Sequence, residues 1–306
     1  MNYRHAYHAG AFADVLKHAV LVHVLDHMAR KATPFFVLDS HAGAGRYDLA
    51  GPEARRTGEA EAGIMRLLAA SNVPEALVPY LDAVRRFQNA GPVYPGSPKL
   101  ARMRLRARDR MVAIELLDED KVALSRAFAG DPVVDIRRMD GFAALKSLLP
   151  PAARRGLVLV DPAFEATDEF ERLAGALKAA WRRWPTGTYI VWYPIKDEAE
   201  IAAFHAALLA AGPPKILRAE LRVQPAGRPG LGACGVLVAN PPFTLEAMLA
   251  EALPYLARVL GRDGVGVFRL DWLRAEGTEP VSAPAARRIP ESSRPRPRGA
   301  RARTRG

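Results

Sequence analysis

The stretch FFVLDSHAGAG, residues 35–45, decides the fold class, because an apolar run ends there in a turn of small residues. Turns of this kind at the carboxyl end of a parallel strand let a ligand approach the backbone closely. The turn has neither the third glycine of a dinucleotide fingerprint nor the lysine of a P-loop. It therefore predicts a buried strand that leads to a nucleotide-like ligand of another kind.

Short apolar runs alternate with helical patterns along most of the remaining chain. The predicted strands cover residues 35–39, 111–116, 133–136, 157–160 and 188–193, and the clearest predicted helices cover residues 168–181 and 198–211. This alternation favours right-handed βαβ units in a mostly parallel sheet with helices on both faces. Later apolar runs at residues 216–223, 234–239 and 265–270 lack this regularity, and we expect antiparallel edge strands there.

Two segments depart from the alternation. About 70 residues separate the first two strands, far more than an ordinary crossover needs, and an amphipathic pattern follows Pro74. We expect a small helical insertion at about residues 53–95. From about residue 277 the chain is rich in Pro, Arg, Ser and Ala, so we expect one folded domain over residues 1–276 and a disordered basic tail over residues 277–306.

The charge distribution favours a polyanionic partner. The net charge is +11, and residues 280–306 contain eight arginines and one acid, whereas the rest of the chain is only mildly basic. Such a tail binds phosphates through counterion release, although an arginine-rich proteome would also produce it. The chain has no run of about 18 uncharged apolar residues and no apolar leader. We therefore expect a cytoplasmic protein with no membrane partner.

Metal binding is not expected. The single cysteine, Cys234, excludes an intramolecular disulfide and a cysteine-based zinc site. His23 and His27 have helical i, i+4 spacing, but they do not form a His-Glu-x-x-His arrangement. We interpret both histidines as surface or packing residues.

Acidic residues follow the second and third predicted strands. Glu115 is positioned to accept hydrogen bonds from the two hydroxyls of a ribose. Asp140 and the backbone N–H of Gly141 are positioned to recognise an adenine edge. Each signal is weak alone, but together with the glycine turn their order along the chain predicts a nucleoside-binding crevice.

The tetrapeptide of residues 161–164, DPAF, ends the fourth predicted strand and indicates the chemistry. An exocyclic amino group of adenine is a poor nucleophile, since its lone pair is delocalised into the ring. Hydrogen bonds from its two hydrogens to the Asp161 carboxylate and the Pro162 carbonyl would localise that lone pair for attack on an electrophilic methyl group. Phe164 offers a face on which an extruded base can stack.

A second tetrapeptide, NPPF at residues 240–243, also follows an apolar run and in isolation matches an amino-methyltransferase motif better. It lies two or three strands beyond the central crevice of the predicted sheet. Asn240 is neutral and cannot take up a proton. We therefore predict a structural role for this second tetrapeptide.

These features together resemble the ribosomal RNA large subunit methyltransferase J family, the 23S rRNA adenine-N6 methyltransferases. The resemblance covers about residues 2–275. Its motifs are YRH at residues 3–5, HAG at 8–10, ADVLKH at 13–18, LDSHAG at 38–43, YPGSP at 94–98 and DP at 161–162. Ala163 departs from the family, which usually has a second proline there, and Phe164 stands where tyrosine is common.

The resemblance implies an α/β, Rossmann-like class I methyltransferase that uses S-adenosyl-L-methionine and modifies N6 of a specific adenine. The implied cofactor-binding residues are Lys17, His18, His41, Ser97, Glu115, Asp140, Gly141 and Asp161. Asp161 is the implied catalytic residue, and Tyr3 is implied to approach the substrate base together with Pro162 and Phe164. The implied partner is 23S ribosomal RNA, and we expect a monomer.

Three alternatives stay open at this point. A DNA adenine-N6 methyltransferase would use identical chemistry, but no large target-recognition domain is visible, and we expect no DNA partner. A non-catalytic RNA-binding protein on the same fold is disfavoured by Asp161, Glu115 and the Lys17/His18 pair. A protein-amide methyltransferase would favour the tetrapeptide at residues 240–243.

Overall fold

The computed structural model describes residues 4–213 and 215–275. Its strands are β1 Phe36–Asp39, β2 Arg46–Asp48, β3 Val93–Pro95, β4 Arg110–Ile114, β5 Val134–Arg137, β6 Gly156–Val160, β7 Thr188–Pro194, β8 Ile216–Arg222, β9 Ala233–Ala239 and β10 Val267–Arg274. Its α-helices are α1 Phe12–Ala29, α2 Pro52–Thr57, α3 Arg66–Leu68, α4 Val78–Gln88, α5 Ser97–Arg102, α6 Asp118–Ala127, α7 Gly141–Ser147, α8 Glu169–Arg183, α9 Glu198–Ala211 and α10 Leu245–Leu260.

An eight-stranded sheet with the order β10-β8-β9-β7-β6-β1-β4-β5 forms the centre of the fold. The strands β5, β4, β1, β6 and β7 pair in parallel, while β9, β8 and β10 add antiparallel pairs. The predicted α/β class is confirmed, and the three later apolar runs form antiparallel strands as predicted. Of these three, only β10 lies at the edge of the sheet, however, because β8 and β9 are each paired on both sides. The last strand begins and ends later than predicted, because it follows β8 as far as Arg274.

Two hydrophobic layers sandwich the sheet, because successive side chains of a strand point to opposite faces. Val37 of β1 packs in the layer formed with α1, α5 and α10, whereas Leu38 packs in the layer formed with α7, α8 and α9. Strands buried on both faces read as continuous apolar runs. This explains why β1 and β6 were recognisable in the sequence.

The longest helix, α1, is buried around most of its circumference. Thirteen of its 18 residues are buried, and these include Asp14, Lys17 and His18. A helix that is apolar on nearly all sides belongs in a protein interior. The burial of α1 brings the N-terminal segment against the carboxyl end of the sheet, where Lys17 meets the residues that follow β6.

The segment between β1 and β4 contains α2, a π-helical turn at Glu61–Met65, α3 and α4, and its ends pair as the two-stranded sheet β2–β3. This segment packs closely on the N-terminal loop. The Gly10 carbonyl accepts from the N–H of Ile64 at 2.8 Å, and a Cβ on Gly63 would lie only 2.2 Å from the Gly10 oxygen. Gly63 is therefore required by the close approach of the two backbones.

Within the part of the chain that the structure describes, no helix is both long enough and apolar enough to cross a bilayer. The predicted basic tail and Tyr3 lie outside the described residues.

Candidate active site

A cavity of about 260 Å³ opens at the carboxyl ends of β1, β4 and β6. We call it the first cavity. The turn that follows β1 forms its floor, and residues after β4, β5 and β6 form its walls. Eight predicted site residues line it: Lys17, His41, Ser97, Glu115, Asp140, Gly141, Asp161 and Pro162.

Glu115 follows β4 and closes one wall of the first cavity. Its Oε2 accepts from the backbone N–H of Gly43 at 2.9 Å, and its Oε1 accepts from the N–H of Leu117 at 2.7 Å. Burial raises the pKa of this carboxyl group. Each oxygen retains a lone pair, so the fixed carboxylate can still accept hydrogen bonds from a ligand hydroxyl.

Asp140 and Gly141 form the opposite wall at the start of α7. Asp140 caps the helix by accepting from the N–H of Ala143 at 2.8 Å. A Cβ on Gly141 would lie 2.3 Å from the Ser40 carbonyl oxygen and 2.5 Å from the His41 ring. Only glycine fits there without displacing the histidine. Burial lowers the pKa of His41 to about 4, so its ring is neutral near pH 7 and can donate through one nitrogen only.

Asp39, at the end of β1, was given no role from the sequence. Its Oδ2 accepts from the Ser97 hydroxyl at 2.6 Å. Its Oδ1 is buried and has no hydrogen-bond partner among the described residues. Burial raises the pKa of this carboxyl group to about 6. A buried acceptor without a partner costs free energy, and a positively charged ligand group reaching Oδ1 would offset that cost.

Asp161 follows β6 and lies beside the ammonium group of Lys17. Lys17 Nζ donates to Asp161 Oδ2 and lies 2.8 Å from Asp14 Oδ1. Asp14 also receives hydrogen bonds from the Gly10 N–H and the His5 ring, each at 2.9 Å. Burial alone would lower the pKa of Lys17, but the two carboxylates outweigh it and raise that pKa. Lys17 therefore stays charged.

His18 is not brought to the first cavity. It is 1% exposed, and its Nδ1 lies 2.7 Å from the Tyr94 hydroxyl, which in turn lies 2.8 Å from the Tyr80 hydroxyl. Burial lowers the pKa of His18 to about 3. The ring is therefore a neutral member of a buried hydrogen-bonded chain that links α1 to α4.

A second cavity, of about 430 Å³, adjoins the first. The two share His5, Lys17, Asp161 and Ala163 as lining residues. The second cavity also has an aromatic wall. Phe164 lies there with its backbone at a φ of 51°, and its ring centroid is 5.8 Å from that of Trp192. A flat ligand between the cavities would meet the Asp161 carboxylate on one side and aromatic surface on the other.

Comparison with known proteins identifies the family. Residues 32–274 match the family described as "Ribosomal RNA large subunit methyltransferase D, RlmJ". The chain belongs to this family. It is therefore a methyltransferase, as the sequence predicted.

Two relatives match over nearly the whole chain. The ribosomal RNA large subunit methyltransferases J of Haemophilus influenzae and Escherichia coli are each 39% identical, over 90% of this chain and 100% of their own length. A crystal structure of a Legionella pneumophila protein superposes with a TM-score of 0.80 at 31% identity and covers 86% of this chain and 98% of that one. The RlmJ fold of this chain thus agrees with an experimental structure.

The second tetrapeptide lies at the opposite edge of the sheet, because β9 runs antiparallel to β7 and ends where β7 begins. The Asn240 side-chain amide donates to the carbonyls of Pro185 at 2.7 Å and Gly187 at 2.8 Å. These bonds agree with the structural role predicted for it.

His23 and His27 both contact the side-chain hydroxyl of Thr244. The hydroxyl oxygen lies 2.9 Å from His23 Nε2 and 3.3 Å from His27 Nδ1.

Sequence reasoning missed four residues that surround Asp161: His5, Asp14, Asp39 and Trp192. The motifs ADVLKH and LDSHAG contain Asp14 and Asp39. Asp14 was missed because nothing in the sequence distinguishes an acid on a buried helix face from an exposed one, and Asp39 because the sequence identifies it only as the last residue of the first strand. Trp192 lies inside β7, in a run that predicts only a strand.

Proposed function

We propose that this RlmJ-family chain transfers a methyl group from S-adenosyl-L-methionine to the exocyclic N6 of an adenine in 23S ribosomal RNA. The observation that carries the proposal is the position of Asp161, which lines both cavities. The first cavity would hold the cofactor, and the second would hold the extruded base. The family membership and the names of the two 39% identical relatives supply the RNA class.

The residues of the first cavity fit this cofactor. Glu115 offers carboxylate oxygens to the ribose hydroxyls, and Asp140 with the N–H of Gly141 offers an acceptor and a donor to the adenine edge. Asp39 Oδ1 is a buried acceptor without a partner, which suits the amino group of a methionine moiety. The cofactor supplies an electrophilic methyl group on a sulfonium.

The residues at the junction of the cavities fit the methyl acceptor. The ammonium group of Lys17 donates a hydrogen bond to Oδ2 of Asp161. The other carboxylate oxygen, Oδ1, has no hydrogen-bond partner among the described residues. Asp161 Oδ1 and the Pro162 carbonyl would accept the two amino hydrogens and localise the nitrogen lone pair. As the carbon–nitrogen bond forms and the carbon–sulfur bond breaks, the amino nitrogen becomes positive and must lose one proton. Oδ1 of Asp161 is the acceptor for that proton.

Lys17 positions the Asp161 carboxylate and does not itself react. Its ammonium group is buried between Asp14 and Asp161 and stays charged. A charged group held on both sides fixes the direction of the carboxylate. Phe164 and Trp192, which both line the second cavity, would contact the face of the base.

The test is to incubate the chain with S-adenosyl-L-methionine carrying a labelled methyl group and with a 23S rRNA transcript, a DNA of the same sequence, or the proteins of the large ribosomal subunit. Each product is digested to monomers and the labelled monomer is identified. Label in N6-methyladenosine from RNA alone supports the proposal. Label only in deoxyadenosine or in a side-chain amide would replace it with one of the alternatives.

A further inference from the structure

The loops that precede β1, β4 and β6 form one neighbouring set, because these strands are adjacent and parallel in the sheet. We call this the amino edge; it lies at the opposite end of the strands from both cavities. Residues 30–34, 105–110 and 152–155 contain seven basic side chains and one acid. The basic residues are Arg30, Lys31, Arg106, Arg108, Arg110, Arg154 and Arg155.

The net charge of the three loops is greater than that of the whole chain without its last 27 residues. The three loops carry a net charge of +6, whereas residues 1–279 together carry +4. The single acid, Asp109, is fully buried and is paired with Arg106 at 2.7 Å. No salt bridge to a described residue neutralises Arg30, Lys31, Arg108 or Arg154, all of which are exposed.

The first cavity has the opposite character. Six carboxylates line it, whereas the only lysine and arginine among its described lining residues, Lys17 and Arg172, are each paired with a carboxylate. A polyanion that delivers its base to Asp161 gains little attraction at this entrance. The charges that attract phosphates must therefore lie away from this entrance, in the arginine-rich residues 280–306 or on another face of the folded chain.

Hydrogen bonds from two arginines hold the loops of the amino edge together. Arg106 donates to the carbonyls of Lys31 at 2.8 Å and Thr33 at 3.1 Å, while Arg155 donates to those of Met28 at 2.7 Å and Thr33 at 3.2 Å. Both guanidinium groups also lie over the ring of Phe35, within 5.4 and 5.7 Å of its centroid. These two arginines thus fix the loops and leave the remaining basic residues facing outward.

An exposed aromatic ring adjoins this surface. Phe243, from the second tetrapeptide, is 85% exposed and meets the His27 ring edge-on at a centroid distance of 5.4 Å. Arg155 donates to the carbonyl of Met28, the residue after His27. Besides burial, the charges of Arg30 and Arg155 lower the pKa of His27. The Asn240 hydrogen bonds hold the loop that presents Phe243.

We propose that the amino edge, with Phe243, is a second RNA-binding surface that holds a segment of the substrate RNA remote from the target adenine. The proposal rests on the proposed function for the identity of the polyanion. Uncompensated cationic side chains next to an exposed ring are the combination that binds single-stranded RNA, through phosphate contacts and base stacking. The RNA segment is therefore unpaired where it meets Phe243.

The test uses the full chain with one substitution in each loop: Lys31→Gln, Arg108→Gln and Arg154→Asn. Asparagine tolerates the left-handed backbone of Arg154, whose φ is 53°. The matched control changes three exposed basic residues on the flanking helices, Arg126→Gln, Lys146→Gln and Lys178→Gln. A third variant is Phe243→Ala. Thermal unfolding and cofactor affinity check that each variant is folded.

Binding to a long 23S rRNA transcript is titrated at several salt concentrations. If all three charges contact phosphate, the loop variant shallows the log–log salt slope by roughly 2–3 units, while the control leaves it unchanged. Phe243→Ala weakens binding about 5- to 150-fold with an unchanged slope. Loop and control variants that bind as tightly as the wild type, with superimposable slopes, overturn the proposal.

A short RNA hairpin that carries only the target adenine and its flanking stem separates the two proposals. Its methylation by the loop variant should equal that of the wild type, since the hairpin does not reach the amino edge. If the loop variant loses as much methylation activity on the hairpin as on the long transcript, the proposal that the amino edge binds RNA remote from the target adenine is overturned. If the wild type methylates neither the long transcript nor the hairpin, the proposed function is contradicted. Binding of the variants to the long transcript still tests the surface in that case.

Discussion

Lys17 Nζ, on a helix near the start of the chain, donates to Oδ2 of Asp161, which follows the fourth parallel strand 144 residues later. Both groups are largely removed from solvent, with side-chain exposures of 4% and 14%. Asp14 contacts the other side of the ammonium group. The contact joins the N-terminal segment to the tetrapeptide DPAF, so the placement of the proposed catalytic carboxylate depends on residues far away in sequence.

Asp161→Asn is expected to reduce methyl transfer by about 10²–10⁴-fold, because the amide can neither take up the proton nor accept as strongly from the amino group. Cofactor affinity should stay within about tenfold, since the carboxylate acts mainly on the acceptor nitrogen. Labelled methyl transfer to RNA and calorimetric titration with S-adenosylhomocysteine measure the two effects. Asp168→Asn is the matched control, because Asp168 is exposed and makes no capping hydrogen bond. Near-normal turnover of Asp161→Asn would show that the catalytic assignment is wrong.

Glu115→Ala is expected to weaken cofactor binding by one to two orders of magnitude, or about 1.4–2.8 kcal/mol. The loss would combine the proposed hydrogen bonds to the ribose with the two observed backbone hydrogen bonds that hold the Gly43 and Leu117 turns. Calorimetry measures the affinity. Glu115→Gln retains one acceptor oxygen and should fall between the two proteins. An affinity equal to that of the wild type would place the ribose elsewhere.

Gly141→Ala is expected to impair cofactor binding at a modest cost in stability. The added methyl group would lie 2.5 Å from the His41 ring and 2.3 Å from a backbone oxygen, so either the ring or the start of α7 must move. Overpacking of this kind costs typically about 1–3 kcal/mol. Urea unfolding and cofactor titration of the same protein separate the two effects. The exposed Gly175→Ala on α8, where a Cβ meets no atom, is the control. Unchanged affinity would contradict the close fit of the first cavity.

The sequence predicted the strand-end residues of the site for a physical reason. Glu115, Asp140 and Asp161 each follow a parallel strand, and the carboxyl ends of such strands share one edge. The contacts on α1 were not predictable in the same way. Lys17 and His18 are neighbours in sequence, but successive helix positions point in different directions. One side chain therefore reaches Asp161 and the other reaches Tyr94. Because α1 is apolar on nearly all sides, its pattern does not indicate which face meets the sheet.

The free energy of unfolding should decrease as the pH falls, because buried neutral histidines take up protons only when the chain unfolds. The pKa of His18 is about 3 in the folded chain, against about 6.5 in an unfolded one. Between these values the unfolded state binds one more proton, so this contribution is present above about pH 6.5 and is lost as the pH falls towards 3. The slope is up to about 1.4 kcal/mol per pH unit for one proton.

Replacing His18 by Asn removes that proton and should make the pH dependence shallower by up to the same amount. Asp39 acts in the opposite sense, because its pKa is raised to about 6, so its contribution is lost as the pH rises. The comparison is therefore between variant and wild type, using urea unfolding at several pH values from about 4 to about 7. Parallel curves would show that folding does not lower the pKa of His18.

Deleting residues 277–306 is expected to leave cofactor affinity and thermal stability unchanged while weakening RNA binding. Residues 280–306 contain eight arginines and one acid, a composition that neutralises phosphates but offers little to bury. If three of these arginines contact phosphate, the log–log salt slope should become shallower by roughly 2–3 units. The long transcript and the short hairpin should both lose affinity, since both carry the phosphates that arginines contact. This distinguishes the tail from the amino edge, whose loss affects the long transcript alone. Selection of the target adenine should survive, because in the proposed function the base is recognised at Asp161 and Phe164. Superimposable slopes for the full and shortened chains would show that the tail takes no part in RNA capture.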